Sequence, residues 1–175
     1  MRGWRRLECF AMEELIDALA ETPKALAQLV ADASDELLDD ASDGGWSART
    51  ILAHFRDDEY LCTRVALERM LAQDVPDLAF IDGADWEPTR NRTRDRKAWL
   101  LADFALQRQA TLGILRMLRR EEWERAGLRD GTRVTVRGIV EVMVRHDREH
   151  LEQLERAVGE TLGEVVARRA QTEQG

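Results

Sequence analysis

The sequence predicts an all-α fold, a four-helix bundle with a long connection between its second and third helices. Four long segments carry apolar residues at three- and four-residue spacing, which is the period of an amphipathic helix. Strand-like alternation is confined to the short stretch RVTV at Arg133 to Val136. Four helices with no sheet to cover bury their apolar stripes most simply against one another.

The first helical segment begins near Met12 and continues to about Leu38. Thr22 and Pro23 lie in its middle, where threonine can cap a helix and proline fits the first helical turn. A break or kink is therefore expected at these two residues, with the helix resuming after them.

The second helix is predicted over Ala48 to Gln73. Gly44 and Gly45 form a loop before it, and Ser47 is a good N-cap residue. Asp74 to Arg94 contains two prolines and a glycine among polar residues, so it is expected to form the long connection. Trp86 within it is a candidate to line the mouth of a pocket.

The third helix is predicted over Asp95 to Arg119 and the fourth from Thr135, which can cap it, to about Val158. A loop containing two glycines separates them. Arg108 interrupts the apolar stripe of the third helix, and a buried guanidinium needs acceptors. Asp58 and Glu59 are the candidates, in a structural ion pair rather than a substrate clamp.

The chain is predicted to be a single domain over residues 1–175, with a helical core at about 12–158 and a flexible tail at about 168–175. Its net charge of -8 argues against a nucleic-acid partner. No apolar stretch has the length of a membrane span or the pattern of a signal peptide, which predicts a cytoplasmic protein without a membrane partner. Cys9 and Cys62 are expected to be reduced thiols.

The three histidines carry the functional prediction. His146 and His150 are one helical turn apart in VRHDREHLEQ, so their imidazoles project from one face. His54 lies on the core-facing stripe of the second helix. Three neutral imidazoles that converge from two helices would suit zinc, nickel or iron, with coordination positions left open for water or substrate.

Simpler interpretations stay open beside the metal site. An inward histidine is often a hydrogen-bonded core residue, and a pair at this spacing also occurs by chance. HDREH matches the H-x-x-E-H pattern of inverted zinc peptidases, which makes Glu149 a weak candidate for a general base. A solvated flank position is the favoured interpretation of Glu149. Asp58, one turn beyond His54, is a candidate extra ligand, hydrogen-bond acceptor or catalytic group.

Three stretches resemble the DinB-like family of metal-binding four-helix bundles, which includes bacterial thiol-dependent transferases. They are WSARTILAHFRDDE at Trp46 to Glu59, FALQRQATLGIL at Phe104 to Leu115 and TVRGIVEVMVRHDREHLEQL at Thr135 to Leu154. The resemblance implies that His54, His146 and His150 bind a divalent metal, zinc or nickel first, with iron or manganese as alternatives. It also implies a homodimer.

Family resemblance does not choose a reaction, because one scaffold serves several chemistries. The sequence is interpreted as a metal-dependent enzyme that activates a small thiol or water for transfer to, or hydrolysis of, a small electrophile. The alternative is a stress-response protein that binds metal or ligand without turnover. The basic run RNRTRDRK, Arg90 to Lys97, either faces an anionic substrate or pairs with nearby acidic residues, and the pairing is favoured.

Overall fold

Four helical rods form a bundle in the computed structural model, which describes residues 12–39, 45–80 and 95–172. They are α1 (Met12–Leu29), α2 (Ala48–Asp58) with its continuation, α4 (Lys97–Met117) and α5 (Val136–Thr172). The second rod continues from α2 through a π-helical segment (Glu59–Arg64) into α3 (Val65–Ala72). α1 and α2 both pack against α4 and α5. The predicted four-helix bundle is confirmed.

The two predicted helix caps are present. The Ser47 side chain accepts a hydrogen bond from the Thr50 N–H at 3.2 Å and begins α2. Thr135 Oγ1 accepts one from the Gly138 N–H at 3.0 Å and begins α5. α5 runs to Thr172, so it includes part of the segment predicted to be a tail. The flexibility of that segment stays a prediction.

The predicted break in the first helix and its predicted end near Leu38 were both wrong. α1 continues through Pro23 and ends at Leu29, well before Leu38. Proline has no N–H to give to the carbonyl oxygen four residues earlier, that of Leu19. The Arg108 guanidinium donates to this oxygen at 3.0 Å instead, so the helix tolerates the proline. Because α1 is unbroken at Thr22, this residue caps no new helix. Its hydroxyl donates to Asp147 at 2.7 Å instead.

A small three-stranded sheet covers one end of the bundle and was only partly predicted. β1 (Asp77–Leu78) pairs parallel with β2 (Ala126–Arg129), which pairs antiparallel with β3 (Thr132–Thr135). The β2–β3 turn is Asp130-Gly131, both at positive φ, as a tight hairpin requires. The sequence predicted a loop here, with strand character only in RVTV at Arg133 to Val136. Part of the long connection, residues 81–94, lies outside the described residues, as does Trp86.

Two apolar clusters fill the bundle. In the sequence of each rod, a buried polar side chain separates the residues of one cluster from those of the other, and together these side chains form a polar layer. One cluster is centred on residues such as Leu19, Met70 and Leu115, and the other on Leu26, Phe55 and Phe104. Each rod contributes to the polar layer, whose members are Thr22, Glu59, Arg108 and Asp147. Within the described part of the chain, no helix is long and apolar enough to cross a membrane.

Candidate metal centre

Three imidazoles from two rods meet beside the polar layer. His54 lies on α2, and His146 and His150 lie one turn apart on α5. The Nε2 atoms of His54 and His146 are 2.9 Å apart. Each histidine offers one ring nitrogen, and these three atoms all lie within 4.8 Å of one another. Metal–imidazole bonds are about 2.0–2.1 Å long, so two nitrogen atoms on one ion lie at most about 4.2 Å apart. The three ring nitrogens are therefore close enough to share one ion after small adjustments of the rings.

Aromatic rings enclose the histidine cluster. Trp46, the residue before the cap of α2, stacks on His150 with ring centroids 5.9 Å apart and planes 6° from parallel. The same indole meets the His54 ring edge-on at 5.0 Å. Phe55 lies edge-on to His146 and His150 at 6.4 and 6.0 Å. These contacts restrict the ring orientations of all three histidines.

The protonation of His150 suits metal binding. Burial is the main cause that lowers the pKa of its imidazole, and the neighbouring His146 acts in the same direction. A lowered pKa favours the neutral ring, which is the form that binds metals. His150 Nδ1 lies 2.8 Å from Gln153 Oε1. If Nδ1 carries the proton of this hydrogen bond, Nε2 stays free as a ligand atom.

The two carboxylates predicted as catalytic candidates differ in position. Asp58 is half-buried, and its Oδ2 lies 3.9 Å from His146 Nε2. The side chain of Glu149 is exposed and does not line the cavity beside the histidines. The structure therefore brings Asp58 to the histidines and leaves Glu149 at the surface.

A cavity of about 530 Å³ opens from the histidines. One wall is apolar and comes from α5, with Ile139, Val142 and Met143. The β2–β3 hairpin supplies Arg129 and Asp130, and the Arg129 guanidinium lies 4.3 Å above the centre of the Phe80 ring. A cavity of this volume is in the range that holds small-molecule ligands.

Arg108 forms the ion pair that the sequence predicted, with one of the two expected partners. Its guanidinium contacts Glu59 at 2.9 Å and Asp147 at 2.6 Å, and all three side chains are buried. Asp58 lies by the histidines instead. Burial opposes the charge of Arg108, but the negative charges of Asp147 and Glu59 outweigh it and raise the pKa. Burial opposes ionisation of Asp147 as well, yet the neighbouring His146 imidazole, the Arg108 charge and the hydrogen bonds from Arg108 and Thr22 lower its pKa.

Asp147 was not predicted as a partner of Arg108. Its neighbours on both sides are charged or histidine, so nothing in the local pattern marks it as buried. The signal available was its spacing of seven residues from Val140 and Leu154, which are both buried.

The basic run at Arg90 to Lys97 is only partly described, since residues 90–94 lie outside the described ranges. Lys97 Nζ donates to backbone carbonyls that follow α1, including that of Val30 at 2.9 Å. Asp95, in the same run, accepts a hydrogen bond from Arg56 at 2.8 Å. The described end of the run thus holds the start of α4 to its neighbours. Cys62 is buried and forms no disulfide with another of the described residues.

Comparison with known proteins identifies relatives. Residues 18–154 match the family model of the DinB superfamily. The fold is similar to that of YfiT from Bacillus subtilis, described as a probable metal-dependent hydrolase with an unusual four-helix bundle topology. The TM-score is 0.78 at 21% sequence identity, and the match covers 89% of this chain and 94% of that one. A search of the curated proteins found no match.

Proposed function

Because the chain belongs to the DinB superfamily and three imidazoles meet in its bundle, we propose that it is a metal-dependent enzyme. His54, His146 and His150 hold one divalent ion, and the convergence of their ring nitrogens is the observation that carries the proposal. Neutral imidazoles suit zinc and nickel, the two ions we expect first, while iron and manganese are the alternatives. Three protein ligands leave coordination positions open, as catalytic sites require.

The proposed reaction is hydrolysis of a small molecule held in the cavity. A divalent ion supplies Lewis-acid chemistry and lowers the pKa of a water or thiol bound to it. Asp58 is the proposed proton acceptor, because its carboxylate is half-buried and lies beside His146. The apolar wall of α5 would contact the body of the substrate. Trp46, which stacks on His150, would keep bulk water from the imidazoles.

Metal content tests the first half of the proposal. The wild-type chain, purified and then loaded with zinc or nickel, is expected to retain one equivalent after removal of free ions. His150→Ala should lose it, because two imidazoles bind far more weakly than three. Glu149→Ala is the matched control, since it removes the exposed neighbour of His150. Equal metal content in all three proteins would contradict the site.

Turnover tests the second half. We expect metal-dependent hydrolysis of simple esters or amides, with kcat reduced about 10²–10⁴-fold in Asp58→Asn while the metal is retained. The same panel should include low-molecular-weight thiols with electrophiles, because the DinB-like family includes thiol-dependent transferases. Thiol consumption without hydrolysis would replace water by a thiol as the nucleophile. No turnover of either kind by the loaded protein would favour a non-catalytic metal- or ligand-binding role.

A further inference from the structure

A buried oxygen of Glu59 has no hydrogen-bond partner among the described residues. The Glu59 side chain is 1% exposed, and its Oε2 accepts a hydrogen bond from Arg108 Nε at 3.0 Å and lies 2.9 Å from Arg108 Nη2 in an ion pair. The other oxygen, Oε1, is enclosed and unpaired. An unsatisfied buried acceptor costs about 1–3 kcal/mol, so native structures usually supply a protein group or an ordered water.

A cavity of about 10 Å³ lies beside this carboxyl group. This volume is close to the roughly 10–15 Å³ that one water molecule needs. The lining is polar on several sides, which is the second requirement for a buried water. It includes Glu59, Arg108, His146 and Asp147.

A gap between two polar atoms borders the same cavity. His146 Nδ1 lies 4.0 Å from Asp147 Oδ1. That distance exceeds a direct hydrogen bond, and polar groups separated in this way are commonly bridged by water. Asp147 Oδ1 also accepts from Arg108 at 3.1 Å, which fixes the carboxylate in place.

We propose that one buried water occupies this small cavity, accepts a hydrogen bond from His146 Nδ1–H and donates to Glu59 Oε1 and Asp147 Oδ1. These three bonds match the usual number for a buried water. The bridge holds the proton of His146 on Nδ1. Its Nε2, which faces His54, is then unprotonated and available as a ligand atom. Gln153 does the same for His150 through a direct contact. Glu59 and Asp147 are then positioning residues for a proposed metal ligand, and this consequence rests on the proposed function.

Arg108 gives the bridge its rigidity. It contacts both carboxylates, so neither can rotate toward the histidine without losing an ion pair. In the proposed bridge, these two carboxylates therefore reach His146 Nδ1 through the water. The π-helical segment begins at Glu59, immediately after Asp58. The two adjacent carboxylates lie in different surroundings, because Asp58 lines the cavity at the histidines and Glu59 pairs with Arg108. Such π-helical segments often occur at functional sites.

The water itself is tested without any metal. A high-resolution crystal structure of the metal-free wild type should show density within hydrogen-bond distance of Glu59 Oε1 and His146 Nδ1. A dry cavity would overturn the proposal. This outcome is independent of the proposed function, because it holds whether or not the histidines bind an ion.

The positioning role is tested by zinc affinity in Glu59→Gln. The amide oxygen must still face Arg108, so an NH₂ donor replaces the acceptor at the cavity. We expect affinity to fall about tenfold or more, as is usual when outer partners of metal-binding histidines change. Glu68→Gln is the matched control, with the same chemical change at an exposed position of the same rod. Equal affinity in the two variants would overturn the positioning role.

A spectroscopic measurement separates positioning from general loosening of the fold. In the zinc-loaded protein with ¹⁵N-labelled histidine, Glu59→Gln should shift the His146 Nδ1–H resonance and speed its exchange with solvent. The His150 Nδ1–H resonance, held by Gln153, should stay unchanged. Equal changes at both histidines would mean a structural effect only and would overturn the proposal. If the wild type binds none of zinc, nickel, iron and manganese, the proposed function falls and the crystal structure still decides the water.

Discussion

Replacement of Arg108 by methionine should destabilise the metal-free protein more than any exposed substitution. The guanidinium neutralises two buried carboxylates and also donates to the Leu19 carbonyl that Pro23 leaves free. Methionine keeps much of the aliphatic volume and removes the charge and all donors. Glu59 and Asp147 are then left buried without their counter-charge.

Arg108→Met is expected to lower the free energy of unfolding by about 3–5 kcal/mol, the range for breaking a buried ion pair by removing one partner. This is a large share of the roughly 5–15 kcal/mol that stabilises a typical domain. For a chain of this size it corresponds to a fall in Tm of about 6–20 °C. Urea unfolding followed by circular dichroism, in the presence of a chelator, gives the free energy of unfolding directly.

Two further variants make the measurement decisive. Arg116→Met on the same helix makes the same chemical change at an exposed position and should alter the free energy by about 0.5 kcal/mol or less. The triple variant Arg108→Met, Glu59→Gln, Asp147→Asn should be more stable than Arg108→Met alone, since no buried charge remains uncompensated. If Arg108→Met unfolds like Arg116→Met, the buried network does not stabilise the bundle as argued.

Three other predictions follow from the described contacts. Ser47→Ala should lower the free energy of unfolding by about 1 kcal/mol through loss of the α2 cap, measured by urea denaturation, and no change would contradict the cap. The Lys97 N–H lowers the pKa of the Asp35 carboxyl below its ordinary 3.8, with Arg49 acting in the same direction. The ionised form of Asp35 therefore stabilises the fold. Asp35→Asn should lower the free energy of unfolding, measured in urea, most at neutral pH, and this loss should shrink as the pH falls below 3.8. A loss that does not depend on pH would refute this. Trp46 stacks on His150, so nickel should quench tryptophan fluorescence in the wild type and much less in Trp46→Phe, and equal quenching would place the ion elsewhere.

Helical periodicity accounts for the parts of the fold that sequence reasoning predicted. His146 and His150 share a face because they are four residues apart on α5, and His54 follows the apolar stripe of α2. The caps at Ser47 and Thr135 are local features and were equally accessible. Each of these depends on residues close together in the chain.

Contacts between distant residues account for what was missed. α1 passes through Pro23 because a guanidinium 89 residues away from Leu19 takes the place of the missing N–H. The Asp130-Gly131 turn was a recognisable hairpin signal, yet β2 also depends on its pairing with β1, far earlier in the chain. Asp147 appeared to belong to a solvated charged stretch, and only its meeting with Arg108 and Thr22 explains its burial. Local pattern cannot supply such partners.

The histidine cluster and the buried charge network share adjacent residues on two rods. Asp58 lies by the histidines while Glu59 pairs with Arg108, and His146 joins the cluster while Asp147 pairs with Arg108. A change in the network therefore moves the backbone that carries the site, because neighbouring residues share their peptide units. A substitution that weakens metal binding is thus informative about mechanism only when the fold is equally stable. This coupling is the reason to compare Glu59→Gln with a control of matched charge and to follow two histidines in the same spectrum.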